Sequence, residues 1–225
     1  MHAAALIMAG GSAERFGGAR KALTPVAGKP MVSWSVALFG ALPEIKAVVL
    51  VVPAGAESEF RTAVSTHGAK VAAIVAGGAT RQESVRIGLA ALPAQTTHVL
   101  VHDAARPCAS AELVKRVHAA LYESSAVVPV VQATDTLVRK SGEQIKEIVE
   151  RSKIAGVQTP QGFTVALLQR AHAQARDTGA AGTDDGSLVL ALGEPLATVA
   201  GEHTNIKVTY PDDVAIAQAI LSARP

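Results

Sequence analysis

Five short apolar runs alternate along this chain with segments of helical spacing, and that alternation limits the folds open to it more than any other feature. The runs are Ala3 to Ala9, Ala47 to Val52, Val71 to Val75, His98 to Val101 and Ala126 to Val131. Helical spacing marks Pro30 to Phe39, Ala56 to Thr66, Arg81 to Ala91 and Ser110 to Glu123. A strand apolar on both sides has no face to give to water. The pattern therefore predicts an α/β fold, a Rossmann-like, mostly parallel sheet with helices on both faces. Ligands of such sheets sit at the carboxyl ends of the strands, so the loops there are the places to search.

The first of those loops is built for a polyanion. Ala4 to Lys21 reads AALIMAGGSAERFGGARK, an apolar run that stops at two glycines and is followed by small residues, Arg15, Arg20 and Lys21. Backbone N–H groups approach a phosphate closely only where side chains are small, and the cations that follow neutralise its charge. Two better-known glycine loops are excluded. A dinucleotide fingerprint would need glycines where Ser12 and Arg15, or Ala13 and Phe16, stand, and the one Gly-Lys pair, Gly28-Lys29, is followed by Pro30 rather than Ser or Thr. An ordinary strand-to-helix connection with solvated charges accounts for this stretch, taken alone, nearly as well.

Two further strand-end loops carry similar features. Gly77-Gly78-Ala79-Thr80-Arg81-Gln82-Glu83-Ser84-Val85 offers glycines, hydroxyls and an arginine at a helix start; Thr80 as N-cap with Glu83 completing a capping box explains it structurally. His102-Asp103-Ala104-Ala105-Arg106-Pro107 follows the fourth run. Asp103, among small residues at a strand end, can hold Mg²⁺ or a sugar hydroxyl against phosphates. His102 reads as a packed strand residue.

Composition narrows the partners. At 225 residues with 49% hydrophobic and 18% charged side chains, the chain predicts a single globular domain. Its 21 basic against 19 acidic residues make no general polycation, and 3% aromatics supply no base-stacking platform, so neither nucleic acid nor a membrane surface is an expected partner. Cys108 is the only cysteine and reads as a semi-buried packing residue in a reducing compartment. The N-terminal run is too short for a signal peptide and no stretch reaches membrane-spanning length, which predicts a cytoplasmic protein.

From Gln132 to Gln158 the pattern changes. Thr134, Thr136, Val138, Ile145, Ile148 and Val149 alternate with polar residues about a Ser141-Gly142-Glu143 turn, which predicts a hairpin arm. A two-stranded ribbon is marginal in water, so it must pack on something, its own domain or a second subunit. Arg139, Lys140, Lys146, Arg151 and Lys153 cluster on and after it. Beyond the arm come a helix from about Thr164 to Asp177, and Thr183-Asp184-Asp185-Gly186-Ser187, an N-cap with acids in the first turn. Asn205 to Thr209 predicts a short strand, and Pro211-Asp212-Asp213 opens the last helix. Lys207, in an apolar stretch, needs a partner; an anionic substrate would serve.

In order between residues 9 and 213 stand AGGSAER, a following lysine, GGATRQESV, HDAARP, an arm ending in Arg151, TPQGF, TDDGS and NIKVTYPDD. The first resembles the A-G-G-x-G-x-R loop of nucleotidyltransferases that activate sugars and polyols, with Ala13 where glycine is usual. Together, over nearly the full chain, they resemble the 2-C-methyl-D-erythritol 4-phosphate cytidylyltransferases, HDAARP most specifically. That resemblance implies transfer of the cytidylyl group of CTP to the polyol phosphate with release of pyrophosphate. It implies that Arg15 and Lys21 stabilise the transition state, and that Arg151 and Lys207 position the attacking phosphate. Ala9, Gly10, Gly11, Ser12, Gly78, Arg81, Ser84, Asp103 and Ala104 would hold CTP; Asp103, Arg106, Arg151, Thr183 and Lys207 would hold the polyol phosphate. Mg²⁺ would bridge the CTP phosphates near Asp103. The arm, ending in Arg151, predicts a twofold homodimer in which it crosses to the other subunit. Rival readings are a ribitol 5-phosphate cytidylyltransferase, a sugar-phosphate transferase using UTP or GTP, and a nucleotide-sensing binding protein on the same fold. Arg15, Lys21 and Lys207 together favour an enzyme, since binding alone does not call for cations on both reactants.

Overall fold

The computed structural model describes residues 1–10, 16 and 20–224. β1 (Ala3–Met8) is followed by a one-turn 3₁₀ helix, Lys21–Leu23, and a small hairpin of β2 (Pro25–Val26) and β3 (Lys29–Pro30). Then come α1 (Met31–Ala41), β4 (Ile45–Val52), α2 (Glu57–Ala63), β5 (Val71–Ala76), α3 (Arg81–Ala90), β6 (His98–Asp103), α4 (Ala111–Ala120) and β7 (Ala126–Gln132). β8 (Leu137–Ser141) and β9 (Gln144–Val149) form the arm, with a second 3₁₀ turn at Arg151–Lys153. The chain closes with β10 (Ala155–Val157), β11 (Gln161–Thr164), α5 (Val165–Thr178), α6 (Asp185–Ala191), β12 (Ala197–Ala200) and α7 (Asp213–Ser222).

Four strands in the order β6-β1-β4-β5 run parallel, with β1 between β6 and β4. β11 joins β6 to β7 by antiparallel pairing with both. Thr164 N donates to Ser125 O (2.9 Å) and Gln158 N to Pro129 O (2.8 Å), so β10 and β11 lie along one edge of β7 as a single strand interrupted at 158–160. Gly201 N donates to Val130 O (2.7 Å), whose carbonyl points to the opposite edge, and there β12 pairs in parallel.

Alternate residues of the central strands feed two cores, one on each sheet face. Ala3, Ala5 and Ile7 pack with Val36, Phe39, Phe60 and Val117 from α1, α2 and α4. Leu6, Val49 and Val51 pack with Val85, Leu89, Leu168 and Leu188 from α3, α5 and α6. Gly88 makes this second face possible, because a Cβ there would lie 2.4 Å from a Leu6 methyl and 2.8 Å from a Val51 methyl. A third core gathers Val26, Met31, Cys108, Val208, Ala217 and Leu221 beneath α7.

Some expectations need correction. Asn205 to Thr209 belongs to no ladder; Val208 N donates to Ala105 O at 2.8 Å, and side-chain contacts hold the rest. The second helix is shorter than its spacing suggests, ending at Ala63. Cys108 is wholly buried rather than semi-buried, and burial pushes its thiol up to about 11. The arm is a two-stranded sheet of its own, joined to no other among the described residues, with Gly142 at φ 57° in the turn. On it Ile145 is 65% exposed and Ile148 71%.

Candidate active site

The parallel strands end together. Beyond the regular pairing, Ala9 N donates to Val51 O (2.8 Å), Ala104 N to Met8 O (3.0 Å) and Gly77 N to Val52 O (2.8 Å). These bonds set the loops after β1, β4, β5 and β6 around one cavity of about 360 Å³. It is lined by Ala9 and Gly10 from the first loop, Pro53 from the second, Gly78 to Arg81 and Ser84 from the third, and Asp103 to Ala105 from the fourth. Met8, Arg20, Lys21, Ala22 and Lys207 complete the wall.

The loop before α3 is stiffened from within. Thr80 Oγ1 accepts from Glu83 N at 3.1 Å, as an N-cap should. The Glu83 carboxylate accepts from Ala79 N at 2.9 Å, one residue earlier than a capping box would place it. Ser84 Oγ accepts from Gly78 N at 3.1 Å, so the serine fixes the glycine backbone at the cavity wall.

Asp103, the last residue of β6, is where the charges meet. Its backbone N donates to Thr159 Oγ1 at 3.1 Å. Lys207 Nζ pairs with Oδ2 at 2.7 Å, and Arg81 Nη2 lies 3.6 Å from Oδ1. Burial alone pushes this carboxyl up, but Arg81 and Lys207 outweigh it and hold the group at about 2. Asp103 is thus ionised throughout the neutral range. The partner that Lys207 requires is this aspartate, and the ammonium, on a side chain that is 47% exposed, has two further hydrogens to offer an anion. Lys21 Nζ donates to Val208 O at 3.0 Å, so the segment that carries Lys207 also places Lys21.

His102 is packed beneath, as read from the sequence. It is wholly buried, its ring edge-on to Phe39 at 5.2 Å and its Nδ1 3.1 Å from Thr159 Oγ1. Burial lowers the imidazole to about 4. Below the unfolded value near ~6.5 the unfolded chain takes up a proton that the native chain refuses. Stability should fall as pH drops from about 6.5 to about 4, by about 3 kcal/mol from this residue, and be unaffected by it above that window. Urea denaturation of His102→Gln at about pH 7 and about pH 5 should show a shallower loss than the parent protein. Equal losses would mean that His102 is protonated in the native state.

Of the expected site residues, Ala9, Gly10, Lys21, Gly78, Arg81, Ser84, Asp103, Ala104 and Lys207 share the cavity wall. Three others lie elsewhere. Arg106 is turned to backbone, donating to Asn205 O (2.7 Å) and Val157 O (3.4 Å). Arg151 donates to Thr134 O at 3.0 Å at the base of the arm, and Thr183 is exposed ahead of α6. Gly11, Ser12 and Arg15 lie outside the described residues. Sequence reading missed Asp185 and His172, which meet Arg81 from behind. Asp185 Oδ2 is 2.7 Å from Arg81 Nη2, and its Oδ1 is 2.9 Å from His172 Nε2. The first-turn aspartate of a capped helix needs no further explanation, so no signal marked it.

The chain is similar to known proteins over nearly its whole length. The family described as 2-C-methyl-D-erythritol 4-phosphate cytidylyltransferase matches residues 3–223. A protein of that name from Thermus thermophilus is 42% identical over 222 residues, 98% of this chain and 97% of its own length. One from Gloeobacter violaceus is 38% identical over 223 residues, covering 97% of this chain and 96% of the relative. A crystal structure of the cytidylyltransferase from Thermus thermophilus superposes with a TM-score of 0.82 at 39% identity, over 99% of this chain and 100% of that one. A 4-diphosphocytidyl-2C-methyl-D-erythritol synthase from Anaerococcus prevotii gives a TM-score of 0.88 at 28% identity, over 98% and 96%. With sequence and fold matched from end to end, the chain belongs to the 2-C-methyl-D-erythritol 4-phosphate cytidylyltransferase family.

Proposed function

We infer that this enzyme transfers the cytidylyl group of CTP to 2-C-methyl-D-erythritol 4-phosphate, giving 4-diphosphocytidyl-2-C-methyl-D-erythritol and pyrophosphate on the non-mevalonate route to isoprenoid precursors. The observation that carries the reading is the gathering of Lys21, Arg81, Asp103 and Lys207 around one strand-end cavity in a chain of this family. The ribitol phosphate alternative has no such support, because the relatives carry the methylerythritol name.

The chemistry needs no general base. A phosphate monoester with a second pKa near ~6 is mostly dianionic at neutral pH and can attack the α-phosphorus of CTP directly. What the site must supply is alignment of two polyanions and cations where charge develops. Lys207, held by Asp103, presents its remaining donors to the attacking phosphate; Lys21 faces the transferring group, with Arg15 assigned beside it by resemblance. Mg²⁺ commonly keeps several waters and takes one or two carboxylates plus substrate phosphates. Asp103, ionised and lining the cavity, fits that demand as a single protein ligand, and the ion would neutralise charge on the CTP phosphates.

The arm supports a homodimer. Val138, Ile145 and Ile148 are left exposed on a ribbon paired only with itself, and Arg151 lies outside its own chain's cavity wall. A crossing arm covers that apolar surface and carries Arg151 to a neighbour's site. Among the described residues no helix is long and apolar enough to cross a membrane. A cytoplasmic setting, where CTP is made, goes with the same reading.

The test is incubation with Mg²⁺, each of the four NTPs and each of the two polyol phosphates, following pyrophosphate release. CTP with the methylerythritol phosphate should be preferred, with kcat/KM over UTP higher by roughly 10²-fold or more, because acceptors that meet the cytosine amino group would be left unpaired by the uracil carbonyl. Comparable values for UTP and CTP would remove the cytidylyl reading.

A further inference from the structure

Asp185 is wholly buried at the first turn of α6, and its two oxygens serve two other helices. Oδ1 meets His172 Nε2 of α5 at 2.9 Å, and Oδ2 meets Arg81 Nη2 of α3 at 2.7 Å. Burial pushes the carboxyl up, but the His172 hydrogen bond and Arg81 outweigh it, so it is ionised. An ionised carboxylate only accepts, so His172 Nε2 carries a hydrogen; Nδ1 is buried and has no hydrogen-bond partner among the described residues. The backbone around Asp185 is tied as well. Gln161 Nε2 donates to Asp184 Oδ2 (2.7 Å), and Gln161 Oε1 accepts from Gly186 N (3.1 Å). Gln82, next to Arg81, bonds Ala180 O (3.3 Å) and Gly182 N (3.4 Å) across the same gap.

We propose that His172 and Asp185 are positioning residues that hold the Arg81 guanidinium in its place on the nucleotide side of the cavity, an inference that rests on the function proposed above. Arg81 stands between two carboxylates, Asp185 behind it and Asp103 in the cavity at 3.6 Å. No ligand reaches Asp185, which is 0% exposed. Its charge therefore keeps Arg81 on the wall whatever occupies the cavity. Without that charge the remaining carboxylate is Asp103. Arg81 would then close onto Asp103 Oδ1, leaving Lys207 on Oδ2, and give up its station toward the nucleotide. His172 contributes by orienting the carboxylate so that one oxygen faces Arg81.

The experiment compares Asp185→Asn, His172→Leu and His172→Gln with the parent protein. It reads kcat, KM for each substrate, and calorimetric binding of CTP, UTP, GTP and ATP with Mg²⁺. Asp185→Asn should weaken binding of whichever nucleotide the parent protein binds, and its kcat/KM, by about tenfold or more, while KM for the polyol phosphate changes less than about twofold. His172→Leu should share the defect. His172→Gln, whose Nε2 can take the place of the ring N–H, should restore most of the loss. Folded variants with unchanged nucleotide binding, or with both KM values raised in proportion to a lower Tm, would overturn the proposal. If Asp185→Asn does not fold, the contrast of His172→Leu with His172→Gln decides it alone, and equal behaviour of the two counts against it. A parent protein that binds a nucleotide but does not turn over the polyol phosphate would instead refute the proposed function, with the binding comparison still deciding this point.

Discussion

Replacing Lys21 with alanine should lower kcat by on the order of 10² or more, with a far smaller loss of CTP binding. The reasoning starts from where the ammonium is held. Lys21 lines the cavity from a one-turn helix and donates to Val208 O at 3.0 Å, so its charge is set in place before any substrate arrives. A cation so fixed costs no reorganisation when charge builds on the α-phosphoryl group, and removing it is felt most in the transition state. Arg15→Ala, at the position the resemblance places beside Lys21 in the transition state, should behave alike. A Lys21→Ala enzyme with near-normal kcat and only a raised KM would make this lysine a binding cation. Loss of the Val208 contact should cost only about 1 kcal/mol of stability, which thermal melting can separate from the catalytic effect.

Two inactive variants should make an active mixture. Arg151→Ala and Lys21→Ala are each expected to fail, the first because the attacking phosphate loses its cation, the second for the reason just given. If the arm crosses a twofold interface, each site combines Lys21 of one chain with Arg151 of the other. In a freely exchanged equal mixture half the dimers are mixed, and one of the two sites in each has both native residues. Recovered activity should approach about a quarter of the parent level. The position of Arg151 supports this arrangement, since its guanidinium is exposed and bound to the Thr134 carbonyl of its own arm. No recovery from demonstrably mixed dimers, or a monomer by sedimentation, would return Arg151 to its own subunit.

The parallel half of the sheet was legible because strands covered on both faces carry near-continuous apolar runs, as Ala3 to Ile7 and Ala47 to Val52 do; β5, at the sheet edge and only partly buried, is apolar as well. β10, β11 and β12 were not. They are short, and what makes them strands is pairing with β7 across distant sequence rather than any local pattern. Asn205 to Thr209 misled in the opposite way. It alternates like a strand, but in the fold it joins no ladder. In the site, glycines and strand ends pointed to the loops that line the cavity. The demand of Lys207 for a partner was readable, while the identity of that partner, Asp103, lies 104 residues away and only the fold supplies it. Asp185 was hidden by its capping context, which accounts for an aspartate there without any ligand.

The segment that carries Lys207 has a further consequence, because it pairs with no strand of the sheet. Val208 is buried in the core under α7 with Met31, Cys108, Ala217 and Leu221, and the Asp213 carboxylate accepts from Thr209 N (2.7 Å) and Tyr210 N (2.8 Å). Part of the free energy that keeps this lysine at its post, beside its ion pair with Asp103 and the Val208–Ala105 bond, is therefore the docking energy of the C-terminal helix. Local opening of α7 is a smaller event than melting of the sheet, and it would release the Lys207 segment while β1, β4 and β6 stay paired. Catalytic competence and global folding are then two separate thermodynamic quantities, and the first depends on the chain's last helix as well as on the sheet.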